Sequence, residues 1–271
     1  MRNPFLGVGV APTPTPPALA LPVHPYYPME AEIVGYLANT YSVPMLLSLF
    51  AAGCAAIFGV TLVLVRGVRS AAQKNPLSNS ELATLMWFVL CGFIHFFFEG
   101  YFSFNHTQMG SRQDLFGQLW KEYSLSDSRY LTSDPFVLCM ETITAVAWGP
   151  LSFVLAGLIA TSHPLRHPLQ VIVSLGQLYG DILYYGTSMF DHYYKGLTYC
   201  RPEGYYFWSY YFLMNIFWVV IPCILIYSSV TKTTRAFRAL DRMSSSLQAN
   251  GGIKQANGSA RQANGRAKKS N

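Results

Sequence analysis

Five unbroken apolar blocks, over residues 43–65, 82–104, 136–160, 169–190 and 205–230, leave few folds open to this chain. Each is about 20 residues long, the length of a membrane span. A soluble core would break such runs with polar surface positions every turn or two of helix. Only 12% of the 271 residues are charged, about half the fraction of an ordinary soluble domain. The sequence therefore predicts an all-α integral membrane protein, with five transmembrane helices forming a bundle.

The two ends differ from the middle. Residues 1–42 carry eight prolines, with Pro-Thr-Pro-Thr-Pro-Pro at 12–17, and read as a flexible arm. The arm lacks the basic start and long apolar core of a secretory signal. Residues 231–271 repeat Gln-Ala-Asn-Gly at 248–251, 255–258 and 262–265 and read as a disordered basic tail. Between them, 43–230 is the folded unit. Lys and Arg number 13 on the side of the tail and 6 on the other, which predicts a cytosolic C-terminus and a luminal N-terminus. Lys268-Lys269-Ser270-Asn271 has the form of a dilysine retrieval ending, so the expected location is the endoplasmic reticulum membrane. The net charge of +6 sits mostly in this tail and beside a span, where it sets orientation; no nucleic-acid partner is expected. Four of the five cysteines lie inside apolar blocks, which argues against a disulfide scaffold.

Inside the spans stand groups that hydrocarbon disfavours, at about 2.5–3.5 kcal/mol or more for a charge at mid-membrane. The second block holds His95 and Glu99, four apart and so on one helical face. Glu141 and Thr144 on the third block, and Asn215 and Trp218 on the fifth, are three apart; the fourth block holds Gln177 and Asp181. Amides and hydroxyls often only tie helices together, and for Asp181 the expectation is a structural hydrogen bond. Two carboxyls and an imidazole, by contrast, make a proton-transfer set. They make a poor metal site, because no second histidine stands at a fitting spacing. Aromatic residues crowd the same spans, at 96–98, 101 and 102 and again at 205–218. Ring faces turned toward the carboxyls would form a slot that favours a cation. Such a slot suits a rigid, mostly hydrocarbon substrate that becomes transiently positive, as a sterol can.

Seven blocks carry a resemblance. They are Cys91-Gly-Phe-Ile-His95-Phe-Phe-Phe-Glu99-Gly-Tyr-Phe, Gln118-Leu-Trp120-Lys-Glu-Tyr123, Asp127-Ser-Arg129-Tyr130, Met140-Glu141-Thr-Ile-Thr144-Ala, Trp148-Gly-Pro150, Gly176-Gln-Leu-Tyr-Gly180-Asp181 and Asn215-Ile-Phe-Trp218. In order and spacing, over residues 24–230, they closely resemble the emopamil-binding protein family (EXPERA domain), the sterol delta8-delta7 isomerases of the endoplasmic reticulum. The resemblance implies a five-helix bundle with an intramembrane ligand cavity, no cofactor, and transfer of a sterol double bond from C8=C9 to C7=C8. It implies His95, Glu99 and Glu141 as the acid-base group and Thr144, Asn215 and Trp218 as lining. Trp120, Tyr123, Asp127, Arg129 and Tyr130 become the luminal-side segment that shapes the site, although for Asp127 and Arg129 a loop ion pair is an equal reading. The partners implied are a sterol substrate, cationic amphiphilic ligands whose ammonium mimics a carbocation, and the lipid bilayer; a homodimer is left open. In the implied mechanism an acid protonates C9, charge appears at C8 and a base removes a proton from C7. Glu141 and His95 exchange these protons, Glu99 orients His95, and the Trp218 ring face stabilises the cation.

Three rivals remain. One is a relative that binds sterols or cationic amphiphiles without isomerising them, and another is a paralogue acting on a different terpenoid. The third, a proton-coupled transporter, is disfavoured because five spans give no even inverted repeat.

Overall fold

A Ser-x-x-Glu ahead of an apolar run supplies both halves of a capping box. The Ser78 hydroxyl accepts from the Glu81 backbone N–H, and the Glu81 carboxylate accepts from the Ser78 N–H at 3.2 Å. Asp134 caps a second start by accepting from Val137 N–H at 2.9 Å, with Pro135 at the first helical position, where its missing N–H costs nothing. The computed structural model describes residues 24–267, and the regular structure in them is entirely helical. In chain order the helices are α1 (Val43–Ala71), α2 (Asn79–Ser111), the short α3 (Leu115–Tyr123), α4 (Pro135–Ala160), α5 (Arg166–Phe190) and α6 (Met214–Ala267), the last preceded by π-helical turns at Tyr206–Leu213.

Among the described residues, four segments are long and apolar enough to cross a membrane: α1, α2, α4 and Tyr206–Leu247. The expected count was five. The fourth block does form α5, 25 residues or about 37 Å. Arg166, His167, Gln170, Gln177 and Asp181, however, leave it too polar to qualify on composition.

Two apolar clusters hold the helices together. One gathers Phe102, Trp120, Tyr130, Val137, Tyr184 and Tyr211; the other gathers Leu85, Phe88, Leu155, Ile159, Val173 and Leu225. On α2, α4, α5 and α6 alike, the polar residues at 95–99, 141–144, 177–181 and 215–218 fall between the stretch feeding one cluster and the stretch feeding the other. Packing alone therefore brings them to one level. At that level α2 is π-helical over Ile94–Glu99 and α4 over Thr144–Trp148, an irregularity found frequently at functional sites. The two helices meet closely just beyond it. A Cβ on Gly149 would lie 2.8 Å from the Phe96 backbone nitrogen, so only glycine fits there.

Residues 24–42 contain no helix, yet they are packed rather than free. Their backbone makes only isolated turn bonds of its own and finds further partners on the connection between α2 and α4. Tyr26 donates to Lys121 O at 3.1 Å, Asn39 to Gln118 O at 2.9 Å, and the buried Gln118 Oε1 accepts from Thr40 N–H at 2.8 Å and Tyr41 N–H at 2.9 Å. Lys121 is buried and donates to Leu37 O at 2.7 Å; burial pushes its ammonium down to about 8. This strap and the 112–134 connection form a cap over one end of the bundle. At the other end of the chain, residues 231–267, expected to be disordered, continue α6 as helix. No proline interrupts them, and their Ala, Gln, Arg and Lys are good helix formers. Residues 1–23 and the dilysine ending lie outside the described residues.

Candidate active site

The polar level of the bundle surrounds a cavity of about 510 Å³, a volume typical of small-molecule sites. Most of its wall is apolar: Leu46, Leu47 and Phe50 from α1, Trp87 and Ile94 from α2, Met140 from α4 and Phe217 from α6. Into this wall project the ionisable groups.

His95 is 2% exposed. Its Nδ1 lies 2.9 Å from both Glu99 carboxylate oxygens, and its Nε2 lies 2.9 Å from the Gln177 amide nitrogen. An amide nitrogen only donates, so in this orientation Nε2 accepts and Nδ1 carries its proton toward Glu99. Both ring nitrogens are thus hydrogen-bonded, Nδ1 to Glu99 and Nε2 to Gln177. The edge of the imidazole meets Trp218, ring centroids 6.2 Å apart, and Trp218 packs on Trp87 at 5.1 Å.

Glu141 comes from α4, where it is buried and accepts from the Tyr130 hydroxyl at 2.7 Å. It stands near enough to Glu99 for the two carboxyls to feel each other's charge. Thr144 lines the cavity one turn on, its hydroxyl donating back to Met140 O at 2.8 Å. Asn215 donates to the Tyr123 hydroxyl at 2.9 Å and to Tyr211 O at 2.7 Å, tying α6 to α3. Trp120 donates to Phe98 O at 2.9 Å and stacks on that ring, centroids 4.5 Å apart.

All the residues singled out in the sequence line this cavity except two. Asp127 and Arg129 form a buried pair beside it: Arg129 Nη2 donates to Asp127 Oδ2 at 2.6 Å and Nε to both carboxylate oxygens at 3.0 Å. The guanidinium lies 4.9 Å from the Tyr184 ring centroid and 5.4 Å from that of Tyr199, and it donates to Thr187 at 3.0 Å. Burial disfavours its charge, but the Asp127 carboxylate more than compensates and holds its pKa above the ordinary value. The pair pins the cap to α5.

Sequence reasoning passed over Trp87, Glu122, Tyr184 and Tyr210 as lining residues. Glu122 accepts from Tyr210 at 3.0 Å. Its signal was its place inside the Lys-Glu-Tyr block. Asp181, assigned a structural hydrogen bond, shows none among the described residues. It shares the cavity-facing side of α5 with Gln177, one turn away, and its Oδ2 is buried without a partner.

Residues 115–229 match the EXPERA (EXPanded EBP superfamily) family. A rat protein named 3-beta-hydroxysteroid-Delta(8),Delta(7)-isomerase is 38% identical over 82% of this chain and 93% of its own length. A protein of the same name from Cavia porcellus is 37% identical over 81% of this chain and 93% of its own length. A protoglabretal synthase of Citrus sinensis is 31% identical over 70% of this chain and 89% of its own length.

Proposed function

This chain belongs to the EXPERA (expanded EBP) superfamily, and on that premise we propose that it is a sterol isomerase moving a nuclear double bond from C8=C9 to C7=C8. The observation that carries this reading is the placing of two proton-exchanging units, Glu141 with Tyr130 and Glu99 with His95, in one apolar cavity. The reaction needs only that. A carboxylic acid gives its proton to C9, the C8=C9 electron pair forms the new C9–H bond, and C8 is left positive. A base then takes the proton from C7, and that C–H pair becomes the C7=C8 bond. The sterol gains one proton and loses one, with no oxidation or reduction.

In this scheme Glu141 and the His95–Glu99 unit are the donor and acceptor, while Gln177 holds the imidazole. Ring faces of Trp218 and Trp87 meet the transient cation, and carboxylates opposite it add electrostatic stabilisation. Protonated amphiphilic amines would occupy the same place. The α5 helix serves as the fifth crossing, with its Gln177 and Asp181 turned to the cavity instead of lipid. A paralogue's chemistry on another terpenoid is the second reading, favoured by the similarity to the Citrus synthase.

Turnover in heavy water separates these possibilities. A proton donor that exchanges with water between cycles leaves deuterium at C9 of the delta7 product. Isomerised but unlabelled sterol would refute the two-proton scheme in favour of an internal shuttle from C7 to C9. Folded protein that binds delta8 sterol and leaves it unchanged would refute sterol isomerisation.

We also propose residence in the endoplasmic reticulum membrane, the location implied by the family resemblance, with the N-terminal side luminal and the C-terminal side cytosolic, from the Lys/Arg asymmetry.

A further inference from the structure

Asp181 takes no part in the proton transfers above, and nothing in the described residues holds its Oδ2. It stands on α5 one turn, about 6 Å, past Gln177, whose amide touches His95 at 2.9 Å. It lines the cavity, and its buried Oδ2 has no hydrogen-bond partner. Three residues further on, Tyr184 is 1% exposed, lines the same cavity, and carries a hydroxyl that also lacks a partner. The Arg129 guanidinium, 4.9 Å from its ring centroid, steadies that ring. Residues three apart on a helix are neighbours. Two polar groups left unsatisfied on one helix at a cavity wall carry the full cost of their desolvation, unless the cavity's occupant supplies what they lack.

What they lack is specific. A carboxylate only accepts, and a phenol can donate. A hydroxyl donates to the first while accepting from the second, and a sterol carries one. The distance also fits: Asp181 and Tyr184 lie about 6 and 10 Å along α5 from the residue that touches His95. That is comparable to the span of rings A and B, which separate a hydroxyl on C3 from the reacting carbons C7 to C9.

We propose that Asp181 and Tyr184 form the subsite for the ring-A hydroxyl of the substrate, so that a 3-hydroxysterol enters with ring A toward the cap and its side chain toward Trp87. The inference rests on the sterol-isomerase reading and deepens it. It makes Asp181 a specificity residue and leaves the proton transfers to Glu141, Glu99 and His95.

The test is equilibrium binding to the full chain in lipid nanodiscs, comparing a delta8 sterol bearing a 3-hydroxyl with its 3-deoxy analogue, alongside turnover of both. Wild-type protein should favour the hydroxysterol by roughly tenfold or more, the worth of a hydrogen bond to a charged group. Asp181→Ala should remove most of that preference by weakening the hydroxysterol alone, raising its KM with kcat nearly unchanged. Tyr184→Phe keeps the ring against Arg129 and should lose a smaller part of it. Equal weakening of both sterols, or a wild-type protein indifferent to the hydroxyl, overturns the subsite. If wild-type protein discriminates in binding but converts neither sterol, the isomerase reading fails and the subsite stands. If it converts both without preference, the isomerase reading stands and the subsite fails.

Discussion

Replacing Glu141 by Gln is expected to lower isomerisation at least about 100-fold while sterol affinity changes little. The Tyr130 hydroxyl donates to Glu141 Oε1 at 2.7 Å, and a glutamine oxygen accepts the same bond, so the shape of the wall is kept. Only the capacity to give or take a proton is lost. Sterol conversion by mass spectrometry, paired with ligand binding on the same preparation, reads the two effects separately. A Gln variant retaining more than about a tenth of the activity would be above the range for removal of a general acid-base group, and Glu141 would not be the proton carrier. His95→Ala should be similarly damaging, since it empties the contact with both Glu99 and Gln177. Glu99→Gln should cost less if Glu99 mainly orients the imidazole.

Asp127→Ala should be the most destabilising single change in the cap. It strands the Arg129 guanidinium, 1% exposed, in a place water cannot reach, and breaking a buried pair from one side costs about 3–5 kcal/mol. Thermal unfolding in lipid or mild detergent would show it as a large fall in midpoint. Removing both charges, Asp127→Ala with Arg129→Met, should recover most of the loss, because a well-packed apolar pair often equals a buried ion pair in stability. A single variant that unfolds like wild type but binds sterol poorly would make Asp127 a ligand-binding residue after all.

These two expectations mark where the sequence was legible. The capping box at Ser78, the Asp134-Pro135 cap, the apolar blocks and the i, i+4 spacing of His95 and Glu99 are local signals, written in neighbouring residues, and the helices formed around them. Asp127 and Arg129 sit in the same motif run as Tyr130, and no local pattern reveals that Tyr130 turns to Glu141 while its neighbours turn away to Thr187 and Tyr184. The contact of Gln177 with His95 joins residues 82 positions apart, and the π-helical turns at 94–99 and 144–148 lie where α2 and α4 meet, a contact no local pattern announces. The strap at 24–42 was misread for a related reason. The proline run of the arm lies at 12–17, outside the described residues, and says nothing about the Gln118 side chain that accepts the strap's backbone N–H groups. Two of the polar residues that keep α5 from qualifying as a span by composition, Gln177 and Asp181, line the cavity, so function obscured part of the signal used to find it.

The apolar wall of the cavity is supplied by α1, α2, α4 and α6, the helices long and apolar enough to cross a membrane. A sterol that reaches such a wall arrives dissolved in hydrocarbon, and the quantity that sets its occupancy is its mole fraction among the surrounding lipids. Aqueous molarity then has no direct meaning for the enzyme. Adding detergent at fixed total sterol dilutes the substrate in the only phase the protein samples, so apparent saturation constants should scale with the amount of amphiphile present and collapse onto one curve when expressed per lipid.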